Sequence, residues 1–266
     1  MDRLKIIESE ELNLLERIIR SLAPEEELKR LWDDYQRCQY AKYVYAIRCA
    51  KEHRDSLIEK FILDKEGRYL EIGCGPGVLF EPIAKIIQPK ELHAIDYSLE
   101  MRRGAEKEAK KLEKIYRTKF FIYDGDLSKS ETWHVLWQDD YFDGVISNMF
   151  LNYVAGGWEP IIQQEARILK PGGIIYGGPL IDGKFYKKAL RHALPEFIRQ
   201  PRESFRGLKF RKKISKISKR SQELEAKAPV KEELIKYLKE LGFTEIETTE
   251  TYWGLGMTFR ARLKPF

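Results

Sequence analysis

Cysteine, histidine and methionine are scarce in this chain, at three, four and four residues in 266. The cysteines (Cys38, Cys49, Cys74) are an odd number without CxxC spacing, which fits a reducing cytoplasm and no structural zinc. No two histidines lie four residues apart, so a histidine-rich metal site is not expected either. No stretch approaches the roughly 18 apolar residues of a membrane span. The opening, MDRLKIIESEELNLL, carries acids where a signal peptide would be apolar, so an integral membrane or secreted protein is not expected. What is present is a globular balance, 43% hydrophobic and 34% charged. The length suits one large domain, or a core domain with an appendage.

The net charge of +6 is a poor guide to partners until it is located. Between Lys184 and Arg220 stand fourteen Lys or Arg against two acids, Glu196 and Glu203, and the rest of the chain is net acidic. The basic character therefore belongs to one segment. Two readings of it stay open: attraction to a polyanion or an anionic membrane surface, or a solvated helical face in a chain rich in Glu and Lys.

Leu12, Leu15, Ile18, Ile19 and Leu22 recur at helical spacing, and Pro24 followed by Glu25, Glu26 and Glu27 reads as a helix opening. Helical patterning continues from about Leu28 to Ile62, rich in Tyr and Trp. From Arg68 short apolar runs alternate with helical stretches: RYLEI, ELHAI, KFFIY, YFDGVIS and GGIIYGG. Such alternation indicates a mostly parallel sheet covered on both faces. After the basic segment come a helix over Val230–Leu241, a stop at Gly242, and two strands joined near Trp253-Gly254. The expected organisation is a helical N-terminal cap over 1–67 and an α/β domain over 68–266, with a helical insertion at 179–229.

The sharpest local signal is Glu71-Ile72-Gly73-Cys74-Gly75-Pro76-Gly77, between the first strand and its helix. Glycines there let backbone approach a ligand beside the positive end of a helix. Their spacing is not that of a dinucleotide fingerprint, since Val78 stands where the third glycine belongs. Glu71 would be awkward beside phosphates and useful beside a cationic ligand. The loop thus suggests a nucleoside ligand without a diphosphate. Asp96 ends the next strand, where an acid can accept from ribose hydroxyls. Asp124-Gly125-Asp126-Leu127 ends the third, and Ser147-Asn148 the fourth.

Together these motifs resemble the class I S-adenosylmethionine-dependent methyltransferases. YLEIGCGPG is similar to the family's first motif, HAIDYS to its second, YDGDL to its third and FDGVISNMFLNYV to its fourth. Glu165-Ala166-Arg167-Ile168-Leu169-Lys170-Pro171-Gly172-Gly173 resembles the E-x-x-R-x-L-x-P-G-G segment before the fifth strand. The small-molecule branch that includes quinone-biosynthesis enzymes is the most similar. The resemblance implies a Rossmann-like seven-stranded sheet, mostly parallel, with an antiparallel C-terminal strand. It also implies S-adenosylmethionine as cofactor. By it, Gly73, Gly75 and Gly77 pass under the methionine part, near Glu71, and Ser147 sits by the ammonium. Asp96 holds the ribose hydroxyls, Tyr97 and Met101 flank the adenine, and Asp126 and the Leu127 amide read its edge. Where relatives in the branch often carry histidines after the fourth strand, this chain has Asn152 and Tyr153.

Asn152, Tyr153 and Tyr186 are the substrate-side candidates, Tyr153 equally a packing residue, and no metal is expected. The resemblance leads to a cytoplasmic enzyme methylating a small, apolar or quinone-like acceptor by in-line displacement. The alternative keeps the cofactor and gives the basic 184–220 segment an RNA or protein substrate to grip. Against it, no N/D-P-P-Y-type motif follows the fourth strand. The 1–67 and 179–229 segments are the expected lid.

Overall fold

In the computed structural model, residues 24–37, 48–61, 67–181, 216–217, 219–220, 222–224 and 226–265 are described. The strands are β1 (Arg68–Ile72), β2 (Glu91–Asp96), β3 (Lys119–Asp124), β4 (Phe142–Asn148), β5 (Leu169–Gly178), β6 (Phe243–Thr251) and β7 (Gly256–Leu263). The described helices are α1 (Pro24–Arg37), α2 (Arg48–Ile58), α3 (Phe80–Ile86), α4 (Leu99–Leu112), α5 (Ser130–Leu136), α6 (Glu159–Ile168) and α7 (Lys231–Glu240). The seven strands form one sheet in the order β3-β2-β1-β4-β5-β7-β6, with β7 running against the other six. This is the Rossmann-like architecture that the resemblance implies, and the mostly parallel sheet that the alternating pattern indicates.

Two cores flank the sheet because its central strands are apolar on both faces. On one face Leu70, Ile72 and Val145 pack with Trp133 of α5, Ile161 and Ile162 of α6, and Leu234 and Leu238 of α7. On the other, Tyr69, Leu92 and Ile146 pack with Leu57 and Phe61, Ile83 of α3 and Ala105 and Ala109 of α4. Helix α2 is thus one of the helices that cover the sheet, although it precedes β1 in the chain. A third, smaller cluster joins Leu28, Met101 and Ile217, with Leu31, Trp32, Tyr97, Tyr153 and Leu224 packed against it. It ties α1 to α4 and to the chain around residue 217.

The order reverses between β1 and β4, and ligands of such sheets bind at the carboxyl ends of strands beside that switch point. Register aligns those ends: Ile72 stands beside Ile95 and Ser147, Asp96 beside Asp124, and Asn148 beside Gly178. The β6–β7 hairpin turns at the same edge through Tyr252, Trp253 and Gly254, all at positive φ (49°, 56° and 81°).

Candidate active site

The loop after β1 turns over the switch point with φ of +59° at Gly73 and +53° at Gly75, a region side chains rarely adopt. A Cβ on Gly73 would also fall on the Phe150 ring, whereas one on Gly75 would, among the described residues, meet only the Met101 sulfur, at 3.9 Å. The first glycine is required by packing and conformation together. The second leaves open space above the backbone, a cradle for a ligand. The Cys74 amide donates to Ile95 O at 3.1 Å, fixing the loop to the tip of β2, and the Cys74 side chain is buried.

Asp96 holds the next part of the edge. Its Oδ2 accepts from the Gly75 amide and its Oδ1 from the Ser98 amide, both at 2.9 Å. Burial raises its pKa to about 6, against those two bonds and the nearby Arg102 charge. Arg102 donates to Asp96 O at 2.8 Å and pairs with Asp124 at 2.7 Å, clasping the tips of β2 and β3. Glu71 is buried, and its Oε2 has no hydrogen-bond partner among the described residues. Burial, then repulsion from Asp96, pushes its pKa well up. Ser147 Oγ, at the tip of β4, is likewise buried and unpartnered. Buried polar atoms without partners are costly in an apolar setting, and two at one edge mark where a polar ligand would complete the bonding.

Helix α4 begins here because Ser98 caps it, its Oγ accepting from the Met101 amide at 3.2 Å. The Ser98 hydroxyl donates to Asp33 of α1 at 2.6 Å, and the same carboxylate oxygen accepts from the Glu100 amide at 3.1 Å. Asp33 thereby anchors α1 beside Tyr97 and Met101. Trp32 meets Tyr153 edge-on, with ring centroids 5.2 Å apart. Glu27 of α1 forms an ion pair with Arg220. These contacts make a roof from α1 and the chain around residue 217.

Of the residues singled out in the sequence, Glu71, Gly73, Gly75, Gly77, Asp96 and Ser147 gather at the switch point. Tyr97, Met101 and Tyr153 share the roof cluster. Asp126 lies at the tip of β3, where Oδ1 accepts from the Ser128 amide (3.0 Å) and hydroxyl (2.7 Å). Leu127 beside it is buried, and its carbonyl accepts from Trp133 Nε1 at 2.9 Å. Asn152 is committed to the backbone: its side-chain nitrogen donates to Leu180 O at 2.7 Å, and its oxygen accepts from the Leu180 amide at 2.8 Å. Those bonds make it a clamp on the chain leaving β5. Tyr186 and most of the basic segment lie outside the described residues.

Sequence reasoning missed Asp33, Arg102, Phe150 and His53, each joined to partners far away in the chain. His53 of α2 is buried beside the tips of β4 and β5, 3.0 Å from Gly178 O and 2.7 Å from the Thr251 hydroxyl. Among the described residues no His, Cys, Asp and Glu cluster could hold a metal ion, and no helix is long and apolar enough to cross a membrane.

Residues 70–173 match the model of the methyltransferase domain family. An uncharacterised protein of Methanocaldococcus jannaschii is 31% identical over 188 residues, which is 70% of this chain and 69% of that protein. A putative methyltransferase of Haloferax volcanii, solved in complex with a methyltransferase activator, superposes with a TM-score of 0.58 at 13% identity, over 88% of this chain and 97% of that one. A Thermotoga maritima S-adenosylmethionine-dependent methyltransferase, described as a possible histamine N-methyltransferase, gives 0.55 at 18% identity over 89% and 100%. Phosphoethanolamine N-methyltransferase 2 of Haemonchus contortus, solved with S-adenosylhomocysteine, gives 0.53 at 16% identity over 81% and 53%. At such identities the solved structures speak for the fold.

Proposed function

We propose that the chain, whose residues 70–173 match the methyltransferase domain family, is a class I S-adenosylmethionine-dependent methyltransferase that methylates a small acceptor held beneath the α1 roof, in the cytoplasm. The residues at the switch point fit the cofactor. The space over Gly75 accommodates its methionine part, and Glu71 Oε2 and Ser147 Oγ lack the partners that an ammonium would supply. Gly73, Gly75 and Gly77 carry the backbone beneath that part. Asp96 keeps further lone pairs on both oxygens for ribose hydroxyls. Tyr97 and Met101 flank the adenine, and Asp126 with the Leu127 amide reads its edge.

S-adenosylmethionine supplies a methyl on a sulfonium, whose departure leaves a neutral thioether. The chain's own work is to align the acceptor and keep out water, effects that can supply several kcal/mol. Among the described histidines none is a base for this site. His53 has both ring nitrogens engaged, His93 is bonded to Tyr123 and Glu91, and His134 lies exposed on α5. The fourth histidine, His192, lies outside the described residues.

The observation that carries the acceptor class is the roof. Trp32, Tyr153, Tyr97 and Met101 pack in one aromatic and apolar cluster beside the switch point, a surrounding that favours a small acceptor with an apolar or quinone-like body over a polymer. A polymer grip by the basic segment has less support: Arg220, at its described end, is already paired with Glu27 and Glu223. The test uses cofactor labelled in its methyl group, incubated with the chain and a cell extract. Label recovered in organic-extractable small molecules is expected; label confined to RNA or protein would overturn the acceptor class.

A further inference from the structure

We propose that His53 is a positioning residue, setting the turn that floors the transfer site through the carbonyl of Gly178. The inference rests on the methyltransferase reading of the same site. Gly178 O can only accept, so its 3.0 Å contact with His53 Nε2 requires the proton on that nitrogen. In the neutral ring Nδ1 is then the acceptor, and it takes the Thr251 hydroxyl at 2.7 Å. Burial, outweighing the bond to Gly178 and the neighbouring Asn148 side chain, lowers the His53 pKa to about 4, which keeps the ring neutral. Both nitrogens are spent on fixing geometry.

The link to the site runs through a few atoms. Gly178 O also accepts from the Met149 amide, at 2.8 Å. Met149 has φ of +60°, a conformation that a side chain disfavours and that its surroundings must hold. The next residue is Phe150, whose ring stands against Gly73 where a Cβ would sit. His53 therefore fixes Gly178 O, which fixes Met149, which places Phe150 on the cofactor loop. Space for the imidazole exists because residue 178 is glycine: a Cβ there would lie 2.8 Å from His53 Nε2 and from Asn148 Oδ1. On its other side the ring lies against Tyr252, with centroids 5.0 Å apart, so the left-handed hairpin turn completes its socket.

Three variants separate this role from simple packing. His53→Gln keeps an N–H donor near the position of Nε2, His53→Asn places its carboxamide near Nδ1 and leaves no donor in reach of Gly178 O, and Thr251→Val removes the hydroxyl while leaving the bond to Gly178. Each is titrated with S-adenosylhomocysteine, melted, and followed for hydrogen exchange at the Met149 amide. His53→Asn should weaken binding about tenfold, an ordinary size for coupling between sites, and speed Met149 exchange. His53→Gln should bind within about threefold of native on the same scale. Thr251→Val should melt earlier yet bind as native does. Equal weakening in His53→Asn and Thr251→Val, or native Met149 exchange in His53→Asn, would overturn the proposal. Native chain that fails to bind would sink the cofactor reading instead, and Met149 exchange would still decide the linkage.

Discussion

Asp96 meets two opposed demands, burial against the sheet and service as an acceptor. Its raised pKa, about 6, means that near neutrality the ligand-free site gives up stability to keep a charged carboxylate ready. S-adenosylhomocysteine affinity should therefore rise as pH passes upward through about 6, because ribose hydroxyls donate better to the ionised form. Titrations from pH 5 to 8 check this, and Asp96→Asn should flatten the profile. His53 has the opposite sign. Its folded pKa lies near 4 against 6.5, so its stabilising contribution is complete above 6.5 and lost as pH falls toward 4. At 1.36 kcal/mol per unit that contribution is about 3 kcal/mol. The difference in unfolding free energy between the native chain and His53→Gln should shrink through that window. Glu165 of α6 is buried with neither carboxylate oxygen partnered among the described residues, and burial pushes its pKa well up. Its stability is present at acid pH and is lost as pH rises. Glu165→Leu should raise the melting temperature more at pH 8 than at pH 5, by an amount equivalent to about 1–3 kcal/mol, with cofactor binding unchanged.

Among the described residues, helix α1 is joined to the edge by Asp33 to Ser98 and Glu100, with Glu27 to Arg220 beside them. Asp33→Ala removes two acceptor bonds at the start of α4, at a cost of about 1 kcal/mol, typical of a lost cap. Limited proteolysis should then cut α1 sooner, and S-adenosylhomocysteine should bind several-fold more weakly, since Tyr97 and Met101 pack with that helix. Faster cutting at unchanged affinity would separate the roof from the cofactor. The elements themselves were largely legible. Pro24 and its glutamates mark the start of α1, and Gly242 at φ of +89° ends α7. Local signals of that kind act within a few residues, which is why they can be read from sequence.

At the scale of the molecule, the alternation of strands and helices shows the sheet and its catalytic edge, because chain direction and right-handed crossovers leave few alternatives. It does not show which face each helix covers. Helix α2, read from sequence as part of a cap, contributes Leu57 to the core beside β1, β2 and β4. Nor does it show contacts between distant residues: His53 meets Gly178, Asp33 meets Ser98, and Arg102 clasps the ends of two strands. Each is a polar residue on a helix, unremarkable until folding supplies its partner. The glycine loop and the acids at strand tips were legible because the backbone demands at a strand end are set locally. The most direct test of the account is a calorimetric titration with S-adenosylmethionine and S-adenosylhomocysteine, on the native chain and on Asp96→Ala. Saturable one-to-one binding by the native chain, lost or strongly weakened in the variant, is the predicted result. Undiminished binding by Asp96→Ala, or none by the native chain at millimolar ligand, would contradict it.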